Sequence, residues 1–503
     1  MSAQPDTGAT DGTGTATTGT GAVPGTGSHD PDYPQKLLEF MRTGWRDAPL
    51  PVAPREEVER YAARRAALSA AFPGETLVIP SGPEKVRAND TTYRFRPGSD
   101  FVWLTGERDP DSVLIMRPDG SGHHATLYVR PRSPRDTDEF FRDRQYGELW
   151  IGRRHTLEEK ATELGIETAP YADLPAALAD CAPGRTRVLR GLDPRVDAAV
   201  APYDRDGDGA RDRELAWTIS ELKLVKDEWE IAQLTEAVEA TVRGFEDVAR
   251  VLPPDREVSQ RLVEGVFGLR ARHDGNDVGY SSIVGSGPAA TILHWTRNDR
   301  PIVPGQLLLA DMGVENHHFY TADVTRTLPV NGRFSATQRR VYEIVYAAQQ
   351  TGIDLVKPGL KWEDLALSIN RVLAEGLAEL GLLPVSVEEA LENDSGVFRR
   401  WTLHGFGHML GIDVHDCANA RPENYRKGTI GEGYVFTIEP GLYFQPEDEL
   451  VPEELRGIGI RIEDDIVCTA EGAVNLSAGL PRHPDEVEAW LVAQRAAGPR
   501  LPG

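Results

Sequence analysis

Four acidic residues stand where buried strands should carry apolar side chains, and this placement limits the possible folds more than any other feature of the chain. Asp311 interrupts the run QLLLADMGV, Asp323 the run YTADVTRTL, Glu439 the run YVFTIEPGLYF and Glu463 the run GIGIRIEDD. Strand alternation puts Asp323 on one face with Thr325 and Thr327, opposite Val324 and Leu328. It groups Thr437, Glu439 and Tyr443 against Phe436, Ile438, Leu442 and Phe444, and Arg461 with Glu463 against Ile460 and Ile462. A carboxylate buried on a strand is costly unless a cation or an arginine compensates it. One such acid reads as an ion-paired core residue or a turn residue; four together demand several positive charges. The Asp311 and Asp323 segments are adjacent, and a short turn would fold them into a hairpin.

A further candidate ligand lies in LHGFGHMLGIDVHD, which holds His404, His408 and His415 with glycines at 405, 407 and 411. A lone histidine would read as a hydrogen-bonded core residue, but three in one glycine-rich segment point towards ligation or catalysis. Glycine lets the backbone approach closely and leaves room for a substrate or an ion.

At 503 residues the chain exceeds what one hydrophobic core usually serves. We divide it into a disordered Gly/Thr-rich tail and linker over 1–45, an N-terminal α/β domain over 46–222, a second domain over 223–485, and a C-terminal helix and tail over 486–503. Within the first domain GETLVIPSG, DSVLIMRPDG, HATLYVRP and TRVLRGLDP read as strands. The junction APYDRDGDGARDRE suggests a calcium loop, but with Asp204, Asp206, Asp208 and Gly209 in register the closing position falls on Leu215, with Glu214 one place early. Calcium is rejected there. Asp227 and Glu230 then form a capping-box pattern ahead of Ile231, Leu234, Val238, Val242 and Phe245 at helical spacing. Further helices are predicted over Ala336 to Val356, Trp362 to Leu380 and Asp485 to Ala497. Strands and helices mix without a regular βαβ beat, which predicts an α+β second domain.

With 79 acidic against 55 basic side chains and a formal charge of -24, nucleic acid and anionic membranes are unfavourable partners. Cys181, Cys417 and Cys468 are too few and too scattered for a disulfide framework or a cysteine metal cluster, which fits a reducing cytoplasm. No basic residue precedes Lys36, so no secretory signal is expected at the start of this sequence.

The stretches ILHWTRND, LLLADMG, YTADVTRTLPVNGRF, LHGFGHMLGIDVHD, FTIEPGLYF and RGIGIRIEDDIV, in that order, resemble the pita-bread metallopeptidases and among them aminopeptidase P. YRFRPGSDFVWLTG and LWIGRR extend the likeness into the N-terminal half. The resemblance implies a pita-bread catalytic domain preceded by a smaller α/β domain. It implies two divalent metal ions per subunit, with Asp323 and Glu463 bridging them, Asp311 on one and His408 and Glu439 on the other. Four carboxylates balance two divalent cations, and an oxygen-rich set with one imidazole and no thiolate suits Mn(II). The implied reaction is attack by a metal-bridging hydroxide on the peptide bond before a proline in position two, giving an Xaa-Pro aminopeptidase. His294, His404 and His415 are the implied catalytic imidazoles, Glu439 a proton carrier, Arg461 an orienting residue, and Asp90, Tyr280 and Tyr443 substrate-side residues. Assembly into a dimer or tetramer is implied as well. Asp311 and Asp323 stand one residue further apart than the family pattern, which implies a longer turn around Glu315 to Phe319. The alternatives are a prolidase acting on Xaa-Pro dipeptides with the same ligands, and a metal-free pita-bread module that only binds peptides.

Overall fold

The computed structural model describes residues 33–120, 122–203 and 209–502. Asp204, Asp206 and Asp208 of the calcium-like loop, and tail residues 1–32, lie outside the described residues. At the far end of that loop Leu215 is fully buried in a helix, and Glu214 pairs with Arg187 at 2.8 Å. The stretch expected as linker is corrected over Gln35–Met41, which is helical. Leu37, Phe40 and Met41 give it a helical-period apolar face, and two residues just beyond its C-terminus anchor it: Arg42 pairs with Asp138 at 2.6 Å, and Trp45 packs edge-on against Phe140.

The N-terminal domain is built on strands β1 (Thr76–Pro80), β2 (Val113–Pro118), β3 (His123–Val129), β4 (Glu167–Pro170) and β5 (Thr186–Val188). They form one mixed sheet in the order β4-β3-β2-β1-β5, with β1/β2 and β2/β3 antiparallel and the outer pairs parallel. The continuous apolar run of β1 is explained by its central position, where both faces are covered. Helices α1 (Val58–Ala71) and α2 (Ser99–Thr105) pack on the side that meets the second domain.

The helix α3 (Ala210–Leu222) leads into α4 (Glu228–Val251), whose N-terminus carries both halves of the expected capping box between Asp227 and Glu230. With α5 (Gln260–Asp274) it covers one face of the antiparallel sheet β6 (Ile283–Ser286), β7 (Leu307–Met312) and β8 (Val324–Pro329). Phe245, Val248 and Phe267 pack there on Leu308, Ala310, Met312 and Val324. Helices α6 (Ala336–Leu355) and α7 (Trp362–Glu379) back the second half of the domain: β9 (Val435–Ile438), β10 (Gly441–Tyr443), β11 (Gly459–Arg461), β12 (Asp464–Thr469) and β13 (Gly472–Asn475). The apolar set Phe436, Ile438, Leu442, Ile460 and Ile462 faces those helices. Each half therefore buries its apolar face outward against helices and turns its polar face inward, towards the other half. The mixture of helix and strand is the predicted α+β architecture.

The hairpin of β7 and β8 forms as expected, with Asp311 opposite Thr325 and Met312 opposite Val324. Among the described residues no helix is long and apolar enough to cross a membrane.

Candidate metal centre

The inward faces meet in a cluster of acids. Thr325 donates from Oγ1 to Oε2 of Glu463 at 2.6 Å, joining β8 to the end of β11. Arg461 donates to Asp311 Oδ2 at 2.5 Å, to Thr325 Oγ1 at 3.0 Å and to the Tyr443 hydroxyl at 2.9 Å. His408 Nε2 lies 3.3 Å from Asp323 Oδ2 and 3.6 Å from Glu439 Oε1. One potential ligand atom each from Asp323, His408 and Glu463 lies within 4.8 Å of the others. Asp311 and Glu439 flank this trio, Asp311 through the shared Tyr280 hydroxyl and Glu439 through His408. The five residues named as ligands thus converge, although they come from four separate stretches of sequence.

Local structure explains why each points inward. Asp311 and Asp323 bracket a hairpin whose outer residues are held by α4 and α5. His408 is set by two bonds from its main chain to Thr437: its N–H donates to the Thr437 side-chain Oγ1 at 3.1 Å, and Thr437 N–H donates back to the His408 carbonyl at 2.8 Å. At Gly407 an added Cβ would fall 1.9 Å from the Thr437 carbonyl oxygen, so only glycine permits this approach.

The electrostatics test whether cations belong here. Burial, reinforced by Asp323, Glu439 and Asp311, pushes the Glu463 carboxyl well above its usual range. Burial likewise lifts Glu439 to about 7, against the opposing pull of His408 and Arg461. Burial alone would lower His408, but Asp323 and Glu439 raise it to about 9. Tyr280 brings one hydroxyl within 2.6 Å of both Asp311 Oδ1 and Asp323 Oδ1. A phenol has a single proton, so both contacts are hydrogen bonds only when one of the two carboxyls carries a proton of its own. Negative charge exceeds what Arg461 and an imidazolium neutralise, and the donors are hard oxygens with one nitrogen. The set fits divalent cations.

Comparison with known proteins agrees. Residues 232–470 match metallopeptidase family M24, and residues 61–189 match the aminopeptidase P N-terminal domain. Xaa-Pro aminopeptidase 1 of Streptomyces coelicolor is 53% identical over 464 residues, spanning 92% of this chain and 93% of its own. The chain belongs to the aminopeptidase P family of metallopeptidases. The Xaa-Pro aminopeptidase of Escherichia coli is 33% identical over 88% of this chain and 98% of its own. The structure of zinc-substituted Escherichia coli aminopeptidase P in complex with product superposes with a TM-score of 0.77 at 32% identity, covering 87% of this chain and 99% of that one.

The other residues expected in an aminopeptidase P site divide between the acid cluster, its rim and the distant surface. His404 has Nδ1 2.7 Å from the Gly405 carbonyl and 3.4 Å from Glu439 Oε2, and Nε2 2.8 Å from the Tyr443 hydroxyl. Burial, then Arg461, holds its pKa down at about 3. His415 is exposed and stacks edge-on against His408, with ring centroids 4.3 Å apart. His294 is exposed and near enough to both His404 and His415 for its charge to lower their pKa values. Tyr280 and Tyr443, expected as cleft walls, have their hydroxyls inside the acid network. Arg461, expected to orient Glu463 or to pair with excess acid, lies 3.8 Å from Glu463 and pairs with Asp311 at 2.5 Å. Asp90 sits exposed in the turn of the small hairpin Val86–Ala88 and Thr91–Thr92, and the structure does not bring it into the cluster. Sequence reasoning missed Asp465. It is fully buried, accepts from Asp323 N–H at 3.1 Å, and leaves Oδ1 without a partner. The signal available was the acidic triplet Glu463, Asp464, Asp465 inside an apolar run.

Proposed function

We propose that this protein is an Xaa-Pro aminopeptidase, which hydrolyses the bond between an N-terminal residue and a following proline with two divalent metal ions, Mn(II) in the native state. The observation that carries the reading is the convergence of Asp311, Asp323, His408, Glu439 and Glu463 in one buried cluster with excess negative charge. Bound there, the ions would act as Lewis acids and would lower the pKa of water. Mn(II) is favoured by the donor set; the three cysteines are buried and unpaired elsewhere.

The chain's own groups supply the rest. Asp323 and Glu463, each with a carboxylate oxygen in the group that His408 completes, would contact both ions. Glu439, at the edge of the cluster beside His404, is assigned the transfer of a proton to the leaving amine. With both ring nitrogens engaged, His404 orients Glu439 and Tyr443, while the exposed His294 and His415 are the imidazoles free to donate to a developing oxyanion. A cationic peptide N-terminus suits an acidic site. A homo-oligomer is supported by exposed apolar residues of the N-terminal half, with Phe40, in the helix ahead of the first domain, 74% exposed and Leu149, Trp150 and Ile151 about half exposed. The free cysteines favour the cytoplasm.

The test is hydrolysis of an Xaa-Pro-Yaa tripeptide and an Xaa-Pro dipeptide, each with chelator and after Mn(II) is returned. Cleavage of the tripeptide, abolished by chelator and restored by Mn(II), is expected. Cleavage confined to the dipeptide would make the protein a prolidase, and inactivity with no bound metal would make it a binding module.

A further inference from the structure

The motif YRFRPGSDFVWLTG, residues 93–106, belongs to the N-terminal domain and has no member in the acid cluster. Its side chains nevertheless reach into the catalytic half. Arg94 donates to the Asn276 carbonyl, Asp100 pairs with Lys223 at 2.8 Å, and Trp103 Nε1 donates to Glu230 at 3.0 Å. Arg96 is different in kind, because it holds two catalytic segments at once. Its Nε donates to Glu315 Oε2 at 2.6 Å and its Nη2 to the Ile412 carbonyl at 2.6 Å. Its Nη1 donates to Ser99 Oγ at 2.9 Å, and that hydroxyl donates to Asp413 Oδ1 at 2.5 Å.

Glu315 lies in the connection between Asp311 and Asp323, and Ile412 lies between His408 and His415. The main chain ties the same two segments through Thr321 N–H and the Gly411 carbonyl at 2.9 Å. The hairpin tip is also strained where Arg96 meets it. Phe319 has φ +69°, a conformation that a bulky side chain keeps only when its surroundings enforce it. It is buried in the interface between the domains, with the Arg96 guanidinium 5.6 Å and that of Arg108 5.5 Å from its ring centroid.

We propose that Arg96 is a positioning residue for metal binding: one guanidinium fixes the carboxylate hairpin and the histidine loop at the separation that lets both bind the same ions. The inference rests on the reading of the five converging residues as metal ligands. An arginine is required because its planar fork presents donors in fixed, divergent directions, which a single ammonium does not. Glu315 also accepts from Asn276 Nδ2 at 2.6 Å, so loss of Arg96 does not leave it unpartnered. What is lost is the side-chain link between the segments, leaving the main-chain contact of Thr321 and Gly411 alone to hold them.

The experiment titrates Mn(II) by calorimetry into metal-free wild type, Arg96→Ala and Arg96→Lys, and measures thermal unfolding of each before titration. Arg96→Ala is expected to weaken Mn(II) binding about tenfold or more at a temperature where it is fully folded, the usual scale for groups that orient ligands. Arg96→Lys, which keeps the charge and tolerates the fold, is expected to recover only a small part of that loss. A merely structural role would lower the unfolding temperature and leave the affinity of folded protein unchanged. Wild-type affinity in folded Arg96→Ala, or in Arg96→Lys should the alanine variant not fold, overturns the proposal. Failure of the wild type itself to bind Mn(II) overturns the metal reading beneath it.

Discussion

Arg461 donates to Asp311 Oδ2 at 2.5 Å, nearer than it comes to Glu463, its neighbour two residues along the chain. The guanidinium is 4% exposed and is the fixed cation of the cluster. Removing it as Arg461→Ala leaves buried carboxylates uncompensated, which should cost about 3 kcal/mol in metal-free protein. Divalent ions replace part of the missing charge, so the deficit should shrink when Mn(II) saturates. Urea unfolding with chelator and with Mn(II) checks this; an equal deficit in both would contradict the charge-balance account.

Tyr280 shares its hydroxyl between Asp311 and Asp323 and is part-buried. Tyr280→Phe keeps the ring and deletes the group that orients both carboxylates. Mn(II) affinity should fall about tenfold. Stability of the metal-free protein should fall by about 1–3 kcal/mol, because a hydrogen bond to a buried carboxylate is lost. Calorimetric titration decides it, and unchanged affinity would reduce Tyr280 to packing.

The parts of this site that were legible in sequence were those governed by local periodicity. Asp311, Asp323 and Glu463 stood out because a strand with one helix-packed face forces alternation, so an acid in an apolar run announces an inward polar face. The capping box of Asp227 and Glu230 was visible for the same reason. Pairings across long sequence separations carry no such period. Nothing near Arg96 indicates Ile412, nothing near Lys226 indicates Asp416, and the Tyr280 hydroxyl could not be placed until β6 and β7 were paired. The helix Gln35–Met41 was hidden by its shortness and by the tail before it.

Asp416 follows His415 directly and is buried between two ammoniums, Lys223 Nζ at 2.9 Å and Lys226 Nζ at 3.0 Å. Asp416→Ala would leave both lysines without this partner and should cost about 3–5 kcal/mol. Lys226→Met should cost less, since Lys223 continues to pair with Asp416 and the methionine fills the space of the aliphatic stem. Equilibrium unfolding of the two variants gives the ordering. A Lys226→Met variant as unstable as Asp416→Ala would mean that Lys223 alone does not compensate the buried Asp416 carboxylate.

Glu159 supplies the clearest pH dependence away from the metal centre. It closes a capping box with Thr156, pairs bidentately with Arg153 at 2.7 and 2.9 Å, and accepts from Leu50 N–H at 2.8 Å. The Arg153 hydrogen bonds outweigh burial, and with the Leu50 and Thr156 N–H groups they hold its pKa at about 2 against an ordinary 4.5. A carboxyl depressed on folding stabilises the native state fully above its ordinary pKa, and that contribution drains away as pH falls through the folded value. Glu159→Gln should therefore lower stability by about 1 kcal/mol or more near neutrality, with the gap to wild type narrowing between about pH 4.5 and about pH 2. Thermal unfolding of both proteins in steps from about pH 6 to about pH 3 reads the difference directly. A gap that stays constant with pH would show that the side chain's shape, and not its charge, holds the capping box to Arg153.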